Sequence, residues 1–212
     1  MAPQLSSPLS FTHSLSLSEF ATPLKEYLDQ HPEYDGIAGG ALVFDSQNRL
    51  LIMQRAAHDS MPNLWEILGG AIDITDDSIL HGIGREVFEE AGLRVSALSR
   101  LIGPGDGHAV FISSTKKLKI CKFTFEVEVE STDVVTLDPN EHQDYLWVTV
   151  EDCLNHRLER DGAVVEFKFT RPAQEATILE GFRLRMEAES GVDQWRKTIN
   201  GHEKGDNIYD FL

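Results

Sequence analysis

Cysteine, basic side chains and long apolar runs are all scarce in this chain of 212 residues. Its two cysteines, Cys121 and Cys153, lie far apart with no CxxC spacing and no neighbouring histidine pattern. That excludes a disulfide framework and a zinc-thiolate site, and reads as two reduced structural thiols. No stretch approaches the ~18 apolar residues of a membrane span, and the first basic side chain is Lys25, so neither a secretory n-region nor an Arg-rich transit peptide is expected. The expectation is a soluble, cytoplasmic protein with no membrane partner. Lys and Arg number 19 against 35 Asp and Glu, a formal net charge of −16, and such a surface repels a phosphate backbone. Generic nucleic-acid binding is thereby excluded.

What is present is ordinary globular usage, enough for one large domain or one domain with appendages. Residues 1–34 read as an N-terminal extension: a polar start, alternation from Phe11 to Leu17 as in a half-buried strand, then a short helix opened by Thr22 and Pro23 and running to about Gln30. The apolar runs Gly36 to Phe44 and Arg49 to Arg55, joined by Asp45-Ser46-Gln47-Asn48, predict a β-hairpin. Leu64 to Leu68 forms another short strand before Gly69-Gly70. Strand-like stretches follow at about 94–103, 118–130 and 145–150, and Pro172 to Ala188 carries Leu179, Phe182 and Met186 at helical spacing. The order of strands, one internal helix and more strands is mixed α/β (α+β). No internal repeat is found.

The acidic charge is concentrated. From Asp73 to Glu90 there are six acidic residues against the single Arg85. Ser78 to Ala91 reads as a helix with Gly92 as its stop, and on it Glu86, Glu89 and Glu90 fall within an arc of roughly 100°. Leu80, Ile83, Val87 and Ala91 form an apolar stripe that pins this helix to a core. Three like charges at the C-terminal end of a helix, where the macrodipole favours cations, violate two helix rules at once. Divalent cations are the compensation, and hard oxygen ligands point to Mg²⁺ (or Mn²⁺) over zinc. A solvated acidic face is the rival reading.

The stretch GGAIDITDDSILHGIGREVFEEAGL, Gly69 to Leu93, resembles the Nudix box, whose family pattern is GX5EX7REUXEEXGU with U an apolar residue. Arg85, Glu86, Val87, Glu89, Glu90, Gly92 and Leu93 meet its second half without exception. The first half departs. Counting seven positions back from Arg85 lands on Asp77, so with Gly70 as the leading glycine the spacing carries one extra residue and a shorter carboxylate. Asp77 is then either the helix N-cap or a salt-bridge partner of Arg85.

The resemblance implies a β-sheet/α-helix sandwich over residues 35–156, with extensions at 1–34 and 157–212, that hydrolyses a small-molecule diphosphate joined to another moiety. It implies that Glu86, Glu89 and Glu90 bind the cations together with the Gly70 carbonyl, and that Arg85 orients and neutralises them. Glu141 resembles the downstream acidic residue that relatives use as ligand or base; Glu89 is the other candidate base, and His142 and Asp144 compete with Glu141. Arg55, at the end of a strand that relatives run beside the substrate, is a candidate for holding a phosphate, Trp65 for stacking on a ring and His108 for reaching the cleft. For Trp65 a core position is the rival reading, and for His108 a simple turn.

The proline of ADP-ribose hydrolases and the tyrosine of dinucleoside polyphosphate enzymes have no counterpart at His108-Ala109-Val110. The extensions resemble those of fungal Nudix proteins. A nucleoside diphosphate derivative is the expected substrate; a prenyl-type diphosphate, a non-catalytic nucleotide-sensing module and a Nudix-fold isomerase are the alternatives. A homodimer through the C-terminal helix is a further expectation.

Overall fold

The computed structural model describes residues 9–103, 105, 107–113, 117–190, 195 and 198–199. The expected N-terminal strand shrinks to β1 (Thr12–His13), followed by a 3-10 helix (Leu15–Phe20) and α1 (Leu24–Gln30). Buried Leu17 and Phe20 are three residues apart, which suits three residues per turn better than strand alternation. Leu15, the other apolar position, is 90% exposed. Pro23 sits one place before the helix, as its N-cap, so α1 begins one residue later than read from sequence.

In chain order there follow β2 (Gly36–Val43), β3 (Leu50–Arg55), β4 (Trp65–Glu66), α2 (Ile79–Ala91), β5 (Val95–Ile102), β6 (His108–Ile112), β7 (Lys119–Val129) and β8 (His142–Val148). The chain continues through α3 (Val150–Asn155), β9 (Arg157–Arg160), β10 (Ala163–Glu166) and α4 (Pro172–Ser190). One sheet runs β1-β5-β7-β2, with β6 also paired to β7; a second runs β4-β3-β8; β9 and β10 form a separate hairpin.

The predicted β2–β3 hairpin is corrected. The turn forms, held by the Asp45 carboxylate, which accepts from the backbone N–H groups of Gln47 and Arg49. The strands then diverge: β2 pairs in parallel with β7, β3 pairs with β4 and β8, and only the Phe44–Leu50 bridge joins the two runs. Apolar periodicity reports burial, not the partner strand. Here both faces of both strands are covered, which gives near-continuous apolar runs in place of alternation.

Two cores result. Ala41, Val43, Leu51 and Met53 pack beneath α2 with Leu80, Ile83, Val87 and the odd-numbered face of β7, Cys121 to Val127. The alternate positions Leu42, Leu50 and Ile52 pack on α3 and α4 through Cys153, Ile178 and Phe182. The mixed α+β sandwich expected from the sequence is thus present, with α2 on one side of the sheets and α4 on the other.

Between β4 and α2 the chain crosses β2 closely. Leu68 and Gly70 carbonyls accept from the N–H groups of Ala41 and Gly39, each at 2.8 Å. Gly69 has φ +132°, and a Cβ there would lie 2.2 Å from the Gly39 carbonyl oxygen, so both conformation and space demand glycine.

Candidate active site

Helix α2 is placed by its ends. The Ser78 hydroxyl accepts from the His81 N–H as N-cap, and Gly92, at φ +69°, closes the C-terminus with its N–H on the Phe88 carbonyl. The last carbonyls of α2, left without partners inside the helix, accept from a distant loop: Thr136 N–H on Ala91 and Asp138 N–H on Glu90. The Asp138 carbonyl in turn accepts from the Glu141 and His142 N–H groups, and the Glu141 carbonyl from the Ala56 N–H. This brings Glu141 and His142 beside the box helix, and β3–β8 pairing sets Arg55 opposite His142.

Arg85 has all five of its N–H groups matched. Nε and Nη2 grip the Asp76 carboxylate at 2.9 and 3.0 Å, Nη2 also reaches the Ala71 carbonyl, and Nη1 donates at 2.8 Å to both Glu86 and Glu89. These bonds hold the guanidinium firmly charged, with Asp76 the largest contributor. The acid on Arg85 is therefore Asp76, not Asp77, which is exposed and neither caps the helix nor bonds Arg85. Measured from Gly70, Asp76 stands at the family's carboxylate position, so the extra residue falls between this acid and Arg85, before the Ser78 cap.

A cleft of about 400 Å³ opens beside this cluster, lined by Arg55, Asp59, Glu66, Gly69, Gly70, Ala71, Glu86, Glu90, Glu141 and His142. Five of these carry carboxylates, and Arg55 is the single formal cation among them. Glu90 is only 4% exposed and accepts from the Gly69 N–H at 2.7 Å. Burial, and then Glu86, Glu66 and Glu141, push its carboxyl well above the ordinary range. Burial also raises Glu86, against the pull of Arg85. A Cβ on Gly70 would lie 2.7 Å from a Glu86 carboxylate oxygen, so a side chain there would displace the acid it faces.

Arg55 donates to Glu66 and, at 2.5 Å, to Asp59, while its buried Nε has no hydrogen-bond partner. The Arg55 bond leads in holding the Asp59 carboxyl down at about 2. The His142 Nε2 lies 3.3 Å from Glu66, and its Nδ1 is buried without a partner. The Lys122 ammonium is lowered by burial and opposed by Glu66 and Glu90. The residues present suit a divalent cation: Glu90, Glu141 and His142 each offer a ligand atom, all within 4.8 Å of one another, and Glu86 lines the same space.

Of the sequence candidates, Arg55, Gly70, Glu86, Glu90 and Glu141 meet in the cleft, and Arg85 and Glu89 adjoin it through Glu86. Glu89 is 47% exposed on its side chain. Two candidates are corrected. Trp65 is 2% exposed and packs against Phe167, because strand alternation sends Trp65 and Ile67 into the core and leaves Glu66 facing the cleft. His108 lies on β6 with its ring against Phe123, away from the cleft lining. Glu66 was missed, although that same alternation in Trp65-Glu66-Ile67 marks it. Asp59, four residues beyond Arg55, carried no separate signal.

The NUDIX domain family model matches residues 35–170, and no curated protein matches the chain. Among solved structures, the chain is similar to a MutT protein from Methanosarcina mazei Go1 at 26% identity, covering 73% of this chain and 94% of that one, with a TM-score of 0.49. A NUDIX hydrolase from Nitrosomonas europaea aligns at 16% identity over 74% of this chain and 73% of its own, with a TM-score of 0.51, a likeness of fold. No helix among the described residues is long and apolar enough to cross a membrane. Since the matched span exceeds half of the chain, the chain belongs to the Nudix family and is a hydrolase acting on phosphoric anhydride bonds.

Proposed function

We propose that the protein is a Mg²⁺- or Mn²⁺-dependent pyrophosphohydrolase that cleaves the diphosphate of a nucleoside diphosphate linked to another moiety. One observation carries this reading: Glu86, Glu90 and Glu141, supplied by two distant segments, converge on a cleft with too little positive charge of its own to accept a diphosphate. Divalent cations held by Glu86, Glu89, Glu90 and the Gly70 carbonyl would neutralise the diphosphate oxygens and acidify an attacking water. Arg85 fixes the directions of Glu86 and Glu89 by holding one oxygen of each. Glu141, exposed at the cleft, is the proposed general base, and Arg55, with its unpartnered Nε, the proposed phosphate contact.

The polar lining supports a nucleotide-type substrate over a prenyl chain, which needs an apolar channel. The test is a panel of nucleoside diphosphate derivatives and prenyl diphosphates, with and without Mg²⁺, read by product mass. Metal-dependent release of a nucleoside monophosphate that disappears in Glu90→Gln supports the reading. Turnover that survives both Glu89→Gln and Glu90→Gln overturns the metal assignment, and tight nucleotide binding without turnover points to a sensing module.

A further inference from the structure

We propose that His142 is itself a ligand of the cation, making the site a mixed nitrogen and oxygen centre. The proposal rests on the metal-dependent reading above and adds a residue that the box does not contain. His142 is 2% exposed, so its ring is shut off from bulk solvent. A ring nitrogen lies within 4.8 Å of a carboxylate oxygen from Glu90 and one from Glu141, a ligand-like spacing. Its Nε2 stands 3.3 Å from Glu66, while its buried Nδ1 has no hydrogen-bond partner.

An imidazole buried at the start of β8, short of one polar partner and facing two carboxylates, stays costly until a cation arrives. Glu66, braced by Arg55, is the kind of carboxylate that orients a ligating histidine. Imidazole suits iron, nickel, copper and zinc while carboxylate suits Mg²⁺ and Mn²⁺, so one histidine among the acids widens the range of ions the site can hold.

The experiment is a Mn²⁺ titration of the full chain, read by pulsed EPR without any substrate. A nitrogen coupling that changes when histidine is labelled with ¹⁵N, and that vanishes in folded His142→Gln, supports the proposal. Glu141→Gln, at an exposed position, keeps the test open should the His142 variant not fold: by removing a negative charge beside the site it weakens Mn²⁺ binding while the nitrogen coupling persists. Mn²⁺ bound in a manner abolished by Glu90→Gln, yet with no histidine coupling, overturns the role of His142 and leaves the hydrolase reading intact. A coupling that persists in folded His142→Gln does the same. If Mn²⁺ does not bind at all, both readings fall.

Discussion

Arg85 and Glu90 stand five positions apart on one helix and live in opposite electrostatic conditions. Around Arg85 every N–H has an acceptor and three carboxylates share one guanidinium. Around Glu90 a single backbone N–H faces a group of carboxylates that repel one another. The first cluster is finished by folding alone. The second is left under tension that the proposed cation would relieve, so stability and proposed function occupy neighbouring turns of α2 with opposite demands.

The largest effect expected is on turnover. On the proposed metal assignment, Glu90→Gln removes a charge the cation needs and lowers activity on the order of 10²-fold or more, measured with Mg²⁺ saturating. The same change makes the metal-free protein more stable at neutral pH, because it removes a buried carboxylate that resists ionising. The raised carboxyls of Glu86 and Glu90 hold protons in the folded state after the unfolded chain has released them at about pH 4.3. Their contribution is therefore fully present below that pH and is lost as pH rises through the raised values. Urea midpoints in EDTA, compared with Glu90→Gln between about pH 5 and 8, should diverge as pH increases; Mg²⁺ should close the gap.

Breaking the satisfied cluster acts on stability first. Arg85→Ala strands three carboxylates and should cost on the order of 2 kcal/mol, between the values for exposed and fully buried pairs, with activity falling as Glu86 and Glu89 lose their anchor. Asp76→Asn should lose about 1 kcal/mol, whereas Asp77→Asn should stay within roughly 0.5 kcal/mol of the parent in the same denaturation assay. Equal losses at the two positions would refute the assignment of Asp76 as the partner of Arg85.

Local signals announced α2 well, since its cap, its apolar stripe and its αL glycine lie within one segment. The Asp76/Asp77 exchange arose because spacing along a chain does not say where an extra residue is absorbed. Short elements escaped notice: β6, α3 and the β9–β10 hairpin are each too brief for a period to emerge. Sequence likewise named Glu66's neighbour Trp65 while passing over Glu66, because a large ring draws attention that alternation would have moved one place on.

The docking of residues 136–138 onto the end of α2 has a kinetic corollary. The proposed base and the box acids come from segments some fifty residues apart, joined through carbonyls that nothing nearer in the chain serves. A nascent chain that has already formed the box helix holds only half of the apparatus. Competence for hydrolysis thus arrives with long-range closure, and a partly folded molecule is chemically silent.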